Sequence, residues 1–289
     1  MFRLTTINGR AGLDHDGGWH DLAAVTGDAQ LADPLVAVAH HHELHDLAAS
    51  LATRTPERVL AEEVLDAPIP FPRQVFAIGL NYSEHAGESG MEVPPAPLTF
   101  AKFPSSIAGP TAEVPLSGVA VDWEVEVVAV VGTECTNVDV DDAWDILAGL
   151  TLGQDISDRI VQFTGNPPQF SLGKSFPAYS PIGPSIVSLD TFDDVTDIGL
   201  WCDVSGERMQ DARTTELIFS IPVLVAYLSS ICTLYPGDLI FTGTPSGIGA
   251  ARGRFLVDGD VITSGAEGIG TLTNRCVPGA GPLVTTHRS

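Results

Sequence analysis

Residues 121–132 read VDWEVEVVAVVG. Valine dominates this run and a glycine ends it, which is the signature of a β-strand. Two carboxylates, Glu124 and Glu126, stand two residues apart inside it. Strand side chains alternate faces, so both project the same way from an otherwise apolar segment. Burying two like charges together is costly without compensation, and a divalent cation is the usual compensator. A strand at a sheet edge with one wet face would leave the same glutamates merely solvated. The stretch alone admits both readings.

Downstream, residues 150–156 (LTLGQDI) read as a second strand that delivers Asp155 from apolar surroundings. Two glutamates and one aspartate make an all-oxygen half-shell, which suits Mg²⁺, Mn²⁺ or Ca²⁺ with other positions left for water or substrate. Lys174 lies in SLGKSFPAYSPIGP (171–184), between apolar and aromatic residues, as a buried ammonium would. Gly173-Lys174-Ser175 is not a P-loop, because the required upstream glycine is replaced by Pro168. Upstream, residues 75–80 form a short apolar strand followed by NYSEHAGE (81–88). On a short helix His85 and Glu88, at i and i+3, share a face, and a carboxylate beside a histidine raises its basicity. An exposed loop with an incidental ion pair is the plain alternative. Residues 87–97, glycine-rich and then proline-rich, suit a lid.

The remaining segments set the architecture. Residues 139–150 read as a helix after an acidic start, and the glycine and closing glutamate of an EF-hand are missing there. Residues 214–234 read as one long helix, apolar nearly all round and therefore buried. Residues 200–204 and 240–242 read as strands. FTGTPSGIG (241–249) is a glycine-rich turn, and the last strands form hairpins around Gly259-Asp260 and Gly268–Gly270. Residues 1–68 look like a small separate unit, and the proline-rich 63–73 reads as a linker. A helix over 35–54 carries His40, His41, His42 and His45, which read as solvated surface groups, although His41 and His45 have the i, i+4 spacing of a ligand pair. Short strands outnumber helices, so the fold class is α+β and mainly β.

Composition narrows the function. The chain has 289 residues, 44% of them hydrophobic, enough for a large core. Its net charge of -23, from 37 acidic and 14 basic residues, argues against nucleic acid and against anionic membrane surfaces. Lys102 and Lys174 are the only lysines, so each internal one is a candidate for neutralising an anionic ligand. Cys135, Cys202, Cys232 and Cys276 show no zinc spacing and read as buried, reduced thiols. No apolar run is long enough to span a bilayer, and the first residues lack a secretory pattern, so a cytoplasmic location is expected.

Taken together, GLNYSEHAGESG (79–90), KFPSSIAGP (102–110), DWEVEVVAVVG (122–132), GQDISDRIVQ (153–162), LGKSFPAYSPIGP (172–184), LYPGDLIFTGTPSGIG (234–249) and EGIGTLTNR (267–275) resemble the fumarylacetoacetate hydrolase family, in the family's order. The resemblance implies a mixed β-roll or β-sandwich catalytic core over 69–277, after a small N-terminal domain (1–68) and before a tail (278–289). It implies a homodimer. It also implies Mg²⁺ or Mn²⁺ (Ca²⁺ in a crystal) held by Glu124, Glu126 and Asp155, with His85 and Glu88 activating water and Lys174 beside the substrate oxygen. Arg159, Gln162, Thr244 and Tyr82 match substrate contacts. Asp158 and Ile160 depart from the pattern that many relatives show around the arginine.

The activity so implied is hydrolysis of a C–C bond in a 2-oxo or 1,3-dicarbonyl acid of the acylpyruvate or fumarylpyruvate type, as in aromatic catabolism. The same site in other members decarboxylates oxaloacetate or isomerises 2-hydroxyhepta-2,4-diene-1,7-dioate. A non-catalytic metal-binding module would explain the three carboxylates, but not His85, Glu88 and Lys174 together.

Overall fold

A computed structural model of the chain describes residues 1–84 and 94–281. Its frame is an 11-stranded sheet, and Val125–Val131 lies in its middle, paired with Leu147–Gln154 on one side and Leu239–Phe241 on the other. All seven of its residues are buried. Alternation divides them between two cores. Val125, Val127, Ala129 and Val131 face one core, shared with Leu200, Val204 and Leu272 of a second, five-stranded sheet. Val128 and Val130 face the other, shared with Leu4, Val38 and Phe241. Apolar residues on both faces explain why the strand reads as a continuous valine run rather than an alternating one. The wet-edge reading is thereby excluded. The fold is mixed α+β, mostly sheet with few and short helices.

The opening stretch is not one strand. Val121–Asp122 pairs with Ser157–Asp158 in a separate two-stranded piece, and the chain re-enters the large sheet only at Val125. The Asp122 carboxylate lies at the break. It accepts the N–H groups of Trp123 (2.8 Å), Gly249 (2.6 Å) and Ala250 (3.0 Å), and so ties this point of the chain to the glycine-rich turn.

Three helix expectations are corrected. Residues 214–234 divide into a 3₁₀ turn (Thr214–Glu216) and a helix, Ile221–Ser229. Pro222 has no N–H to donate to a carbonyl one turn back, so a helix running through it from 214 would lose a hydrogen bond, and it sits instead, as proline should, in the first turn. Residues 139–150 give only a 3₁₀ turn, Val140–Ile146, before the strand Leu147–Gln154 begins. A Cβ on Gly149 would lie 2.3 Å from the Val187 carbonyl oxygen, so glycine permits the close strand pairing that overrides helix propensity there. The helix over 35–54 breaks at His40 into Pro34–Ala39 and His41–Ala49. His41 is buried rather than solvated, packed on Gly132 at the end of the central strand.

The N-terminal residues extend the large sheet. Arg3–Ile7 pairs with Ser180–Val187, so one sheet runs across position 68. Val261–Ala266 and Gly270–Pro278 form the last hairpin as expected. Cys202 and Cys276 are buried, Cys135 and Cys232 half-buried, and all four are free thiols. No helix among the described residues is long and apolar enough to cross a membrane.

Candidate active site

The ends of the two central strands bring three carboxylates together. Glu126 is on the central strand, Glu124 just before it, and Asp155 just after Leu147–Gln154. The Asp155 N–H donates to the Glu124 carbonyl (2.8 Å), and the Glu124 N–H donates to Gln154 Oε1 (2.9 Å), which ties the two strand ends together. One oxygen from each of Glu124, Glu126 and Asp155 lies within 4.8 Å of the others, and all three residues are buried.

Cations face this cluster. Lys174 Nζ donates to Glu124 Oε2 (2.6 Å) and to Asp155 Oδ2 (2.7 Å). Burial opposes the Lys174 charge, but Asp155 and Glu124 outweigh it and hold the ammonium pKa above its usual value. Lys102, fully buried, donates to the other Asp155 oxygen, to the Lys174 carbonyl and to the Tyr179 carbonyl. Burial dominates at Lys102 and lowers its pKa. The Arg159 guanidinium pairs with both Asp122 and Glu124 at 2.7 Å, and its Nη1 donates to Gln162 Oε1 (3.0 Å).

Glu126 stands apart from these pairs. It accepts the Gly243 N–H (2.7 Å) and joins no ion pair among the described residues. Burial, followed by Asp155 and Glu124, pushes its pKa well above the carboxylate range. Gly243 has φ 104°, and a Cβ there would come within 2.7 Å of Asn81 Cβ. Only glycine offers its N–H to Glu126 in that conformation. Four buried carboxylates (Asp122, Glu124, Glu126, Asp155) thus meet three cations (Lys102, Lys174, Arg159), and the surplus negative charge falls on Glu126. An all-carboxylate set with one uncompensated member is the donor chemistry of a hard divalent cation, so the residues present fit one.

The cluster forms the wall of a cavity of about 350 Å³. Glu124, Glu126, Arg159, Gln162, Lys174 and Thr244 are among the residues that line it. Thr244 Oγ1 donates to the Val125 carbonyl (2.8 Å) and accepts from Gln210 Nε2 (2.8 Å). Tyr82 is buried behind this lining. Its hydroxyl finds no hydrogen-bond partner among the described residues, and burial, then Glu126, raises its pKa. His85 and Glu88 lie outside the described residues. A larger groove, of about 1360 Å³, runs between residues 29–36 and 107–112 and contains none of these side chains.

Two departures from the family pattern acquire a structural account. Asp158 caps the short helix Arg159–Gln162, accepting from the Ile160 and Val161 N–H groups (both 3.0 Å) and from Ser117 Oγ (2.5 Å). It positions Arg159 from behind, while Ile160 points to solvent. Lys102 and Asp122 also belong to the cluster; the sequence reading made Lys102 only a general candidate for neutralising an anionic ligand and left Asp122 without a role. Each had a signal: Lys102 is one of two lysines in a strongly acidic chain, and Asp122 opens the same-parity series Asp122, Glu124, Glu126.

The model of the fumarylacetoacetate hydrolase C-terminal family matches residues 74–277. A Dictyostelium discoideum fumarylacetoacetate hydrolase domain-containing protein 2 homolog is 44% identical over 224 residues, 73% of each chain. Human mitochondrial oxaloacetate tautomerase FAHD2A is 38% identical over 232 residues, 79% of this chain and 74% of that protein. Among solved structures, a Mycobacterium smegmatis protein provisionally named HpcE superposes with a TM-score of 0.91 at 43% identity, over 96% of this chain and 99% of its own. Maleylpyruvate hydrolase from Sphingobium sp. SYK-6, solved with manganese(II) and pyruvate, gives a TM-score of 0.81 at 27% identity, over 96% of this chain and 99% of its own.

Proposed function

The chain belongs to the fumarylacetoacetate hydrolase family, and from that premise we propose that it is a divalent-metal-dependent enzyme that hydrolyses a C–C bond in a 2-oxo acid bearing a second carbonyl, of the acylpyruvate type. The observation that carries this reading is the buried Glu124, Glu126 and Asp155 set with Lys174 laid against it on a cavity wall. Those three carboxylates would hold Mg²⁺ or Mn²⁺. The bound ion supplies Lewis acidity toward the oxo and carboxylate oxygens of such a substrate.

The protein's own groups do the rest. Arg159, fixed by Asp122 and Gln162, meets the substrate carboxylate. Lys174 donates a hydrogen bond to the oxygen on which enolate charge develops. His85, oriented by Glu88, takes a proton from water, and the water oxygen attacks the distal carbonyl carbon. The bond between that carbon and the adjacent methylene breaks, its electron pair passes into the enolate, and protonation releases the shorter 2-oxo acid beside a carboxylic acid. A cytoplasmic homodimer without nucleic-acid or membrane partners completes the proposal.

A second reading is keto–enol tautomerisation of oxaloacetate. The 38% identity to human oxaloacetate tautomerase FAHD2A favours it, and it uses the same enolate stabilisation without the attacking water. One assay separates the readings. Chelator-stripped protein is reloaded with Mn²⁺ and given acetylpyruvate, fumarylpyruvate and oxaloacetate in turn. Equimolar pyruvate formed as the diketone absorbance disappears indicates hydrolysis. Faster loss of the oxaloacetate enol absorbance, with oxaloacetate conserved, indicates tautomerisation, and CO₂ release indicates decarboxylation. Silence across the panel with Mn²⁺ bound would favour a non-catalytic metal-binding module.

A further inference from the structure

The cavity has two ends of opposite character. Lys174 marks the boundary, its Nζ 5.2 Å from the centroid of the Phe100 ring. Beyond it Phe100 packs edge-on against Phe170 (centroids 5.5 Å apart), and Phe170 against Phe163 (6.0 Å). Leu80 and Ile248 complete this lining. Leu80 adopts a left-handed backbone (φ 57°), rare for a residue with a bulky side chain, at the point where its strand ends beside the cavity. Asn81 holds that turn, its amide donating to the Phe219 and Thr242 carbonyls (2.9 and 2.7 Å) and its Oδ1 accepting the Phe219 N–H (2.8 Å).

Charge is distributed just as unevenly. Arg159 and Lys174 are the cationic side chains of the lining among the described residues, and both are paired with carboxylates at the polar end. A carboxylate at the far end of a bound substrate would lie against phenyl rings while both lining cations are already paired, and its partial desolvation there without a counter-charge is unfavourable.

We infer that the enzyme selects 2-oxo acids whose far end is an apolar acyl or aryl group, with Phe100, Phe163 and Phe170 as the residues that determine this specificity, and that it discriminates against substrates ending in a second carboxylate. This rests on the hydrolytic reading given above, but concerns the tail rather than the bond broken. Each methylene buried along the phenyl rings should improve kcat/KM about fourfold.

The test uses binding as well as turnover. Mn²⁺-loaded protein is titrated calorimetrically with 2-oxoglutarate and with 5-methyl-2-oxohexanoate, in which an isopropyl group replaces the terminal carboxylate. Neither carries the second carbonyl needed for cleavage. The isopropyl compound should bind at least tenfold more tightly. Phe170→Ala should shrink that ratio, and Phe170→Arg should invert it while leaving Mn²⁺ affinity within twofold. In turnover, hexanoylpyruvate should exceed fumarylpyruvate in kcat/KM. Equal or tighter binding of 2-oxoglutarate, or a ratio untouched by both Phe170 variants, overturns the inference and leaves the hydrolytic reading standing. The expected binding preference with no cleavage of any acylpyruvate overturns the hydrolytic reading and supports the apolar tail site. Failure of both acids to bind overturns both.

Discussion

Glu126 has a raised pKa because burial and two neighbouring carboxylates all disfavour its charged form, and the nearby Lys174 charge and the Gly243 N–H offset them only in part. A side chain selected for stability would not be an acid there. Glu126→Gln removes an unfavourable charge while keeping an acceptor for Gly243, so the metal-free protein should melt no lower than wild type. Mn²⁺ affinity should nevertheless fall at least tenfold, as calorimetric titration would read. Lys174 predicts the opposite pattern. Lys174→Met breaks a buried pair with Glu124 and Asp155, which should cost about 3–5 kcal/mol in the metal-free state. The site left behind is more negative, so Mn²⁺ should bind at least threefold more tightly and raise Tm more than it does in wild type. The grouping of the three carboxylates was legible in the sequence. The i, i+2 spacing of Glu124 and Glu126 survives although Glu124 lies just before the strand, because the Asp155 N–H bond to its carbonyl continues the pairing by one residue. The role of Lys102 was not legible, since its partners Asp155, Lys174 and Tyr179 lie between 53 and 77 residues away in the chain.

Elements were read less well where local propensity competes with pairing. Strand periodicity worked for 75–80, 200–204 and the last hairpin. Helix periodicity overextended three segments, because an apolar run does not reveal whether its neighbours will be strands: residues 147–150 satisfy a helical stripe but pair with Val131 and Val187 instead. The turn that carries Gly243 is a sharper case. Gly243→Ala places a Cβ 2.7 Å from Asn81 Cβ at a positive φ, and should cost about 2 kcal/mol or more of stability and weaken Mn²⁺ at least threefold by displacing the N–H from Glu126. The contact between the helix His41–Ala49 and the central strand gives a pH prediction. Burial, with smaller contributions from the like charges of His42 and His45, lowers the His41 pKa to about 4. Its Nδ1 faces the Val38 carbonyl at 3.1 Å, and its Nε2 has no partner. The folded state therefore prefers neutral His41. Its contribution is complete above the unfolded pKa near 6.5 and is lost as pH falls toward 4, on the order of 3 kcal/mol in all. His41→Asn retains a donor for Val38 and should remove this part of the pH dependence. Chemical denaturation of both proteins from pH 7 to pH 4 measures the difference, and parallel curves would refute it.

Under the proposed function the whole molecule opposes its own substrate. A net charge of -23 would repel an anionic 2-oxo acid at long range, while Arg159, Lys174 and a divalent ion would reverse the field locally. Raising ionic strength from about 0.01 M to about 0.15 M shortens the screening length from about 30 Å to about 8 Å. KM for the substrate should then fall severalfold with kcat little changed, and a KM that rises with salt would contradict this balance. At this scale the sequence was a partial guide. It marks the proline-rich passage over 63–73 but not that Arg3–Ile7 reaches across it to pair with Ser180–Val187, because an antiparallel partner so far along the chain (Arg3 opposite Val187) leaves no local trace. The central claim is that the strand ends at Glu124, Glu126 and Asp155 form a divalent-cation site. Calorimetric titration of chelator-stripped protein with Mn²⁺, wild type against Glu126→Gln, tests it most directly. The account predicts one site per wild-type chain and its loss or severe weakening in the variant. Equal stoichiometry and affinity in the two proteins would contradict it.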